Sequence, residues 1–317
     1  MPRISHISAP DKDAYDACVV AAPNAVVYGL SWWLDIVSPG WEVLAWVGAE
    51  GYRAVWPVPV RRKYGIRYVQ QPLFGQFLGI FAVEFLPTDV HEAFAEAFLR
   101  RYRLVVRLAL RPARISWPAG TSRTLETLVL PLDRPHDQLV VRYTTDRRQN
   151  LRRAERAGWT LRTGTEIRTL GTWFRAHHAS RIAGGADPAA YALLERLFAA
   201  CQARGLSTLW YAERDGRPEA GAWFVTWGGR VLYLFNAATE AGRRGNARTW
   251  LLDRFLREHA GSGLVFDFES PDVPSIAAFY RSFGAEPDYF TEVSYNRLPG
   301  WVRAGWALKK RLSGGKK

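Results

Sequence analysis

The chain has 317 residues, 48% hydrophobic and 23% charged, a globular composition with apolar mass for one large core or two smaller ones. That composition excludes a disordered tail, a collagen-like repeat and a disulfide-stapled mini-protein, and Cys18 and Cys201 read as core residues of a reducing compartment. The net charge is +13 and nearly all of the excess is arginine, which suits bidentate contact with phosphate or carboxylate and so points to an anionic partner.

In chain order, a helix is predicted over 12–22 and another over 31–37, with Ser31 as its N-cap. Residues 41–60 form two strand-like runs joined by a turn at Glu50-Gly51. An apolar stretch at 74–85, a helix at 91–103 and a strand at 104–110 follow, and 111–134 reads as short strands and loops. The second half opens with a basic helix at 146–157, a strand at 159–163 and helices at 167–178 and 188–203. Three strands follow, with hairpin turns at Asp215-Gly216 and Gly228-Gly229. A helix at 246–259, a buried strand at 263–268, a helix at 273–283 and a strand at 289–296 close it. The shared order of the halves predicts two similar α+β modules, 1–138 and 139–297, with 298–317 either packing back on the first or lying on a membrane surface.

Uncharged segments 17–34 and 68–83 are broken by Pro23, Asn24, Gln70, Gln71 and Pro72, so neither is a bilayer span. No export signal is recognised, and the chain is expected to be cytoplasmic, at most peripheral to the inner face of the membrane. Residues 298–312 and the basic tail after them read either as an amphipathic helix on an anionic leaflet or as a helix docked on the first domain. His177-His178 lack a ligand set, so no metal is expected, and no DNA partner. Fourteen tryptophans fall mostly on strand-like runs and read as core.

Four segments carry a family resemblance. They are Ser-Ile-Ala-Ala-Phe-Tyr-Arg-Ser-Phe-Gly-Ala at 275–285, Phe-Asp-Phe-Glu at 266–269, Arg-Arg-Gln-Asn-Leu-Arg-Arg-Ala-Glu at 147–155 and Pro-Leu-Phe-Gly-Gln-Phe-Leu-Gly at 72–79. With the element order, they resemble the acyl-CoA N-acyltransferase (GNAT) superfamily, and within it the FemAB-like or BioF-like branch of tandem GNAT chains. The resemblance implies an α+β fold of two tandem GNAT-like domains, each a mixed, mainly antiparallel sheet flanked by helices.

It also implies site residues. Gly242-Arg243-Arg244-Gly245-Asn246-Ala247 stands where the family has its phosphate loop, with Gly242 replacing the usual Gln or Arg; the alternative is a loop capping a surface helix. The donor, acetyl-CoA or another acyl-CoA, would lie along Phe235-Asn236-Ala237 and that loop. Tyr280 matches a tyrosine that in many GNAT enzymes returns a proton to the departing thiolate, although it also reads as helix packing. Asp267 and Glu269, on one face by strand alternation, would accept the proton of an attacking amine or pair with arginines. Arg147, Arg148 and Arg152 would hold the acceptor in the interdomain cleft, or be solvated helix surface. The function implied is transfer of an acyl (acetyl) group from acyl-CoA to an amine of a small or cell-envelope-related, lipid-linked or anionic acceptor. The alternatives are FemAB-like transfer from aminoacyl-tRNA to a peptidoglycan-type precursor, or a non-catalytic binding module for anionic ligands.

Overall fold

A computed structural model describes residues 3–111, 117, 121–178, 187–270 and 272–302. The elements run β1 (Ile4–Ile7), α1 (Lys12–Ala21), α2 (Ser31–Val37), β2 (Glu42–Gly48), β3 (Gly51–Val58), β4 (Val60–Lys63), β5 (Ile66–Gln70), β6 (Phe81–Ala82), α3 (Thr88–Arg101) and β7 (Leu104–Leu110). Then come β8 (Ser122–Pro131), α4 (His136–Val141), α5 (Thr145–Arg156), β9 (Thr160–Thr163), α6 (Arg168–His178), α7 (Pro188–Ala203), β10 (Ser207–Arg214), β11 (Arg217–Trp227) and β12 (Arg230–Ala238). Last are α8 (Glu240–Arg244), α9 (Ala247–Glu258), β13 (Val265–Asp267), α10 (Pro274–Arg281) and β14 (Glu286–Asn296). The fold is α+β, with mainly antiparallel sheets flanked by helices, as the sequence implies. It divides into two compact units, Met1–Leu125 with Phe290–Lys317, and Glu126–Tyr289.

In the first unit β1-β2-β3-β6 form one sheet, and β4-β5-β7-β14 are neighbours in another. Its core stacks Trp56 on Phe98 at 4.6 Å between ring centres. Glu42, buried at the start of β2, is bound by Arg67, by Arg101 at 3.3 Å, by the Tyr102 hydroxyl at 2.9 Å and by His6 at 2.8 Å. Burial pushes its carboxyl up, but the bonds from His6 and Tyr102 and the charge of Arg67 outweigh this and hold it below the usual carboxylate range. Ser31 is not the α2 N-cap: Leu30 holds that place, and the Ser31 hydroxyl instead donates to Asp16 at 2.6 Å. The β4–β5 hairpin was not anticipated. It turns on Tyr64 (φ 53°) and Gly65 (φ 77°), the two positive φ values a type I′ hairpin needs.

In the second unit the order is β8-β13-β12-β11-β10-β9, antiparallel throughout except β12 with β13. The hairpin turns at Asp215-Gly216 and Gly228-Gly229 stand as expected, all four residues at positive φ. Leu251, Leu252, Phe255 and Leu256 line the buried face of α9, and Phe255 stacks on Phe224 of β11 at 3.9 Å. That packing holds the N-terminus of α9 beside the end of β12.

Burial pushes the Cys18 and Cys201 thiols up to about 11 and about 12, so both stay protonated core groups at neutral pH. Where short strands and loops were expected, β8 is a ten-residue strand. Among the described residues no helix is long and apolar enough to cross a membrane. Of the segment 298–312 only the part to Val302 lies within the described residues; there Trp301 is exposed.

Candidate functional site

The site is built where β12 outruns its parallel neighbour. β12 pairs with β11 out to Ala238, but with β13 only through Arg230, Val231 and Leu232. β13 ends at Asp267, and a register shift in β12 between Tyr233 and Phe235 marks the parting. From Tyr233 onward, one edge of β12 has no β13 backbone bonded to it, and side chains from β12, α5, α9 and α10 gather there.

Arg147 is the centre of this cluster. Thr144 caps α5 and accepts the Arg147 amide at 3.2 Å, which starts the helix so that Arg147 turns inward, only 5% exposed. Its guanidinium donates to the Ser282 hydroxyl at 2.8 Å and the Thr249 hydroxyl at 2.6 Å. It also lies over the Phe279 ring at 4.3 Å and the Phe283 ring at 4.9 Å. Arg248, in the first turn of α9, faces the same Phe279 ring at 5.2 Å and donates to the Asn236 side chain at 3.1 Å. Neither arginine has a carboxylate partner among the described residues. Burial pulls the Arg147 pKa down; Asp146 opposes this and Arg248 adds to it. Two guanidiniums thus face one aromatic ring, with no carboxylate hydrogen-bonded to either among the described residues, an arrangement suited to an anion.

Tyr280 sits beside them, buried, its ring stacked on Phe268 at 4.8 Å and edge-on to Tyr233 at 6.1 Å. Burial pushes its hydroxyl up to about 12; Arg248 and the Asn236 side chain pull it down and Glu269 pushes it up. At neutral pH Tyr280 therefore holds its proton, so in proton transfer it can serve as an acid and not as a base. The buried Tyr233 hydroxyl has no hydrogen-bond partner among the described residues.

The structure separates the expected carboxylates. Asp267 is fully buried and committed: it accepts from Thr127 Oγ1 at 2.7 Å, Arg230 Nη1 at 2.7 Å and the Glu269 amide at 2.9 Å. Alternation stops there, since Glu269 takes a left-handed φ of 49°; it is half-buried on the Tyr280 side. The two therefore do not form a pair on one strand face.

The segment 242–247 is not an open loop. Glu240–Arg244 is the short helix α8, capped by Thr239. The Gly242 amide donates to Thr239 Oγ1 at 3.1 Å, Arg243 N to Thr239 O at 3.0 Å, Gly245 N to Ala241 O at 2.9 Å and Asn246 N to Arg243 O at 3.2 Å. A Cβ on Gly242 would overlap the Glu219 carbonyl oxygen, and one on Gly245 the Trp159 ring, so both glycines serve close packing. Arg243 bonds the Ala238 carbonyl at 2.8 Å and Arg244 pairs with Glu240. Asn246 takes a left-handed φ of 53° just before α9, and Ala247 is buried in its first turn. Ala237 is buried in the β11–β12 ladder.

Of the three acceptor arginines, only Arg147 joins the cluster. Arg148 donates to the Tyr143 and Val141 carbonyls at 2.7 and 3.2 Å, closing the end of α4, and Arg152 is exposed. Sequence reasoning missed Tyr233, Arg248, Thr249 and Ser282. Arg248 carried a signal: a cation in the first turn of a helix opposes the helix dipole.

Residues 142–273 match the family model "Acetyltransferase (GNAT) domain". Over nearly its whole length the chain has the fold of FemX, at 14% identity and a TM-score of 0.62, covering 90% of this chain and 96% of that one. A tandem GNAT protein from the clavulanic acid biosynthesis pathway is similar at 14% identity and TM-score 0.51, covering 94% and 100%. The C-terminal domain of a putative lysylphosphatidylglycerol synthetase from Agrobacterium fabrum is similar at 15% identity and TM-score 0.55, covering 95% of each. No curated protein is significantly similar to the chain.

Proposed function

We propose that the chain is a GNAT-type N-acyltransferase, as the match of residues 142–273 supports, and that it moves an aminoacyl group from the ribose ester of an aminoacyl-tRNA to an amine of a phosphate-bearing, envelope-type acceptor. The observation that carries this reading is the unneutralised Arg147–Phe279–Arg248 stack beside Tyr280. Engagement of the four amides at 242, 243, 245 and 246 supports an ester-borne donor over one gripped by a pyrophosphate at that loop. The likeness to FemX and to the lysylphosphatidylglycerol synthetase domain agrees with it at the level of fold.

In this mechanism the acceptor phosphate sits on Arg147 and Arg248, which orients its amine. The amine nitrogen attacks the ester carbonyl, whose oxygen is polarised by the open β12 edge. As the C–N bond forms and the C–O bond breaks, Tyr280 gives its proton to the leaving ribose oxygen. The surplus amine proton leaves to water or Glu269 and Tyr280 is reprotonated, so the step closes as ester plus amine to amide plus alcohol. The acidity of Tyr280 favours this leaving group. From a phenol at about 12, donation to a thiolate whose conjugate acid lies near 8.5 is uphill by about 5 kcal/mol, whereas an alkoxide is the stronger base.

Acyl-CoA remains the second reading. It is favoured by the N-terminal amides of α9 beside Arg248 and by an open depression of about 630 Å³ next to α8, lined by Arg214, Thr239 and Arg244 among others. Radiolabelled aminoacyl-tRNA and acetyl-CoA, each offered with a nucleotide-linked peptide bearing a free amine, distinguish them. Transfer from the tRNA is expected; transfer from acetyl-CoA alone would overturn the proposal.

A further inference from the structure

The first unit carries a second concentration of positive charge, on the hairpin that precedes the segment 72–79. The β4–β5 hairpin sets Arg61 opposite Tyr68, Arg62 opposite Arg67 and Lys63 opposite Ile66. Arg61, Arg62 and Lys63 are exposed and make no ion pair with any described residue. The nearest answer to the positive charge, Glu42, is already shared by Arg67, Arg101, Tyr102 and His6. Like charges directly opposite in a ladder repel, so the Arg62–Arg67 pair disfavours the hairpin unless an anion or solvent stands between them. Among the described residues β4 is also the end strand of its sheet order.

We propose that this hairpin is a docking surface for RNA. Arg61, Arg62 and Lys63 take backbone phosphates, and Tyr64 at the turn, 49% exposed and with the Lys63 ammonium 5.3 Å from its ring centre, stacks on an unpaired base. RNA is favoured over a membrane because the exposed positions are cations and a tyrosine. The hairpin presents no apolar face to bury among lipids; Ile66 is half-buried and Val60 and Val69 belong to the core. The inference rests on neither donor reading, since uncharged RNA binds without any transfer.

The test is filter binding of deacylated bulk tRNA to the full chain over a salt series, with wild type and an Arg61→Glu/Arg62→Glu/Lys63→Glu variant. Losing three phosphate contacts is expected to flatten the log–log salt dependence by about 2 and to cost at least about tenfold in affinity at low salt. Tyr64→Ala is expected to cost about tenfold with little change in slope. If the triple variant melts early, Arg61→Gln/Lys63→Gln is the substitute, with a slope change of about 1.4 expected. Sedimentation with phosphatidylglycerol–phosphatidylcholine vesicles forms the second arm. Unchanged slope and affinity in the folded variants, or vesicle binding that depends on the hairpin while RNA binding does not, would overturn the proposal.

Discussion

Asp267→Asn separates a structural carboxylate from a catalytic one. The wild-type side chain accepts three bonds, from Thr127, Arg230 and the Glu269 amide, while fully buried. Asparagine keeps one acceptor oxygen and turns the other position into a donor, which faces at least one existing donor. Breaking a buried ion pair costs about 3–5 kcal/mol, and here Arg230 keeps Asp288 at 3.1 Å, so the lower end applies, about 3 kcal/mol. For a unit of this size that is a fall in Tm of about 6–12 °C. Thermal and urea unfolding of the full chain read it, alongside kcat measured well below the variant's Tm. A variant that melts like wild type but loses about a hundredfold in kcat would refute the structural assignment and restore Asp267 as a base.

Three further outcomes are expected. Tyr280→Phe should lower kcat by about 10²–10⁴-fold with KM nearly unchanged, and in the wild type Tyr280 should cause no loss of kcat between about pH 7 and 10, because its hydroxyl lies at about 12; a pH–rate profile checks both. Gly242→Ala should destabilise by about 3 kcal/mol or more, and by more than Gly245→Ala, because it meets the backbone of Glu219 whereas the Trp159 side chain can shift; urea midpoints compare the two. Glu42 is held below its ordinary value of 4.5, so it stabilises the first unit above that pH and the benefit is lost as pH falls through the range beneath. Glu42→Gln should therefore be less stable than wild type at pH 7, with the gap narrowing as the pH falls below 4.5, as followed by acid titration of the melting temperature.

Much of the fold was legible in local pattern. The Asp215-Gly216 and Gly228-Gly229 turns, the α9 apolar face and the strand at Leu104–Leu110 follow from turn chemistry and periodicity, and the structure has them. The β4–β5 hairpin was missed because Arg61, Arg62, Lys63 and Arg67 hide a two-residue alternation under charge. β8 was missed because prolines around it mark loops, although Pro131 only ends the strand. Glu269 was misplaced because alternation was extended beyond Asp267 into a left-handed residue.

From the sequence alone follow the α+β class, the GNAT resemblance, the excess of arginine and the tyrosine at 280, since each depends on residue type and short spacing. The tertiary structure decided which arginine joins the buried cluster. Arg147, Arg148 and Arg152 are alike in a string of letters, but the Thr144 cap and the packing of α5 bury the first against Phe279, spend the second on carbonyls and leave the third in solvent. It also brought in Arg248, roughly a hundred residues away in the chain, and showed the loop amides already bonded. Burial and countercharge are properties of neighbours in space, and only the folded chain supplies those neighbours.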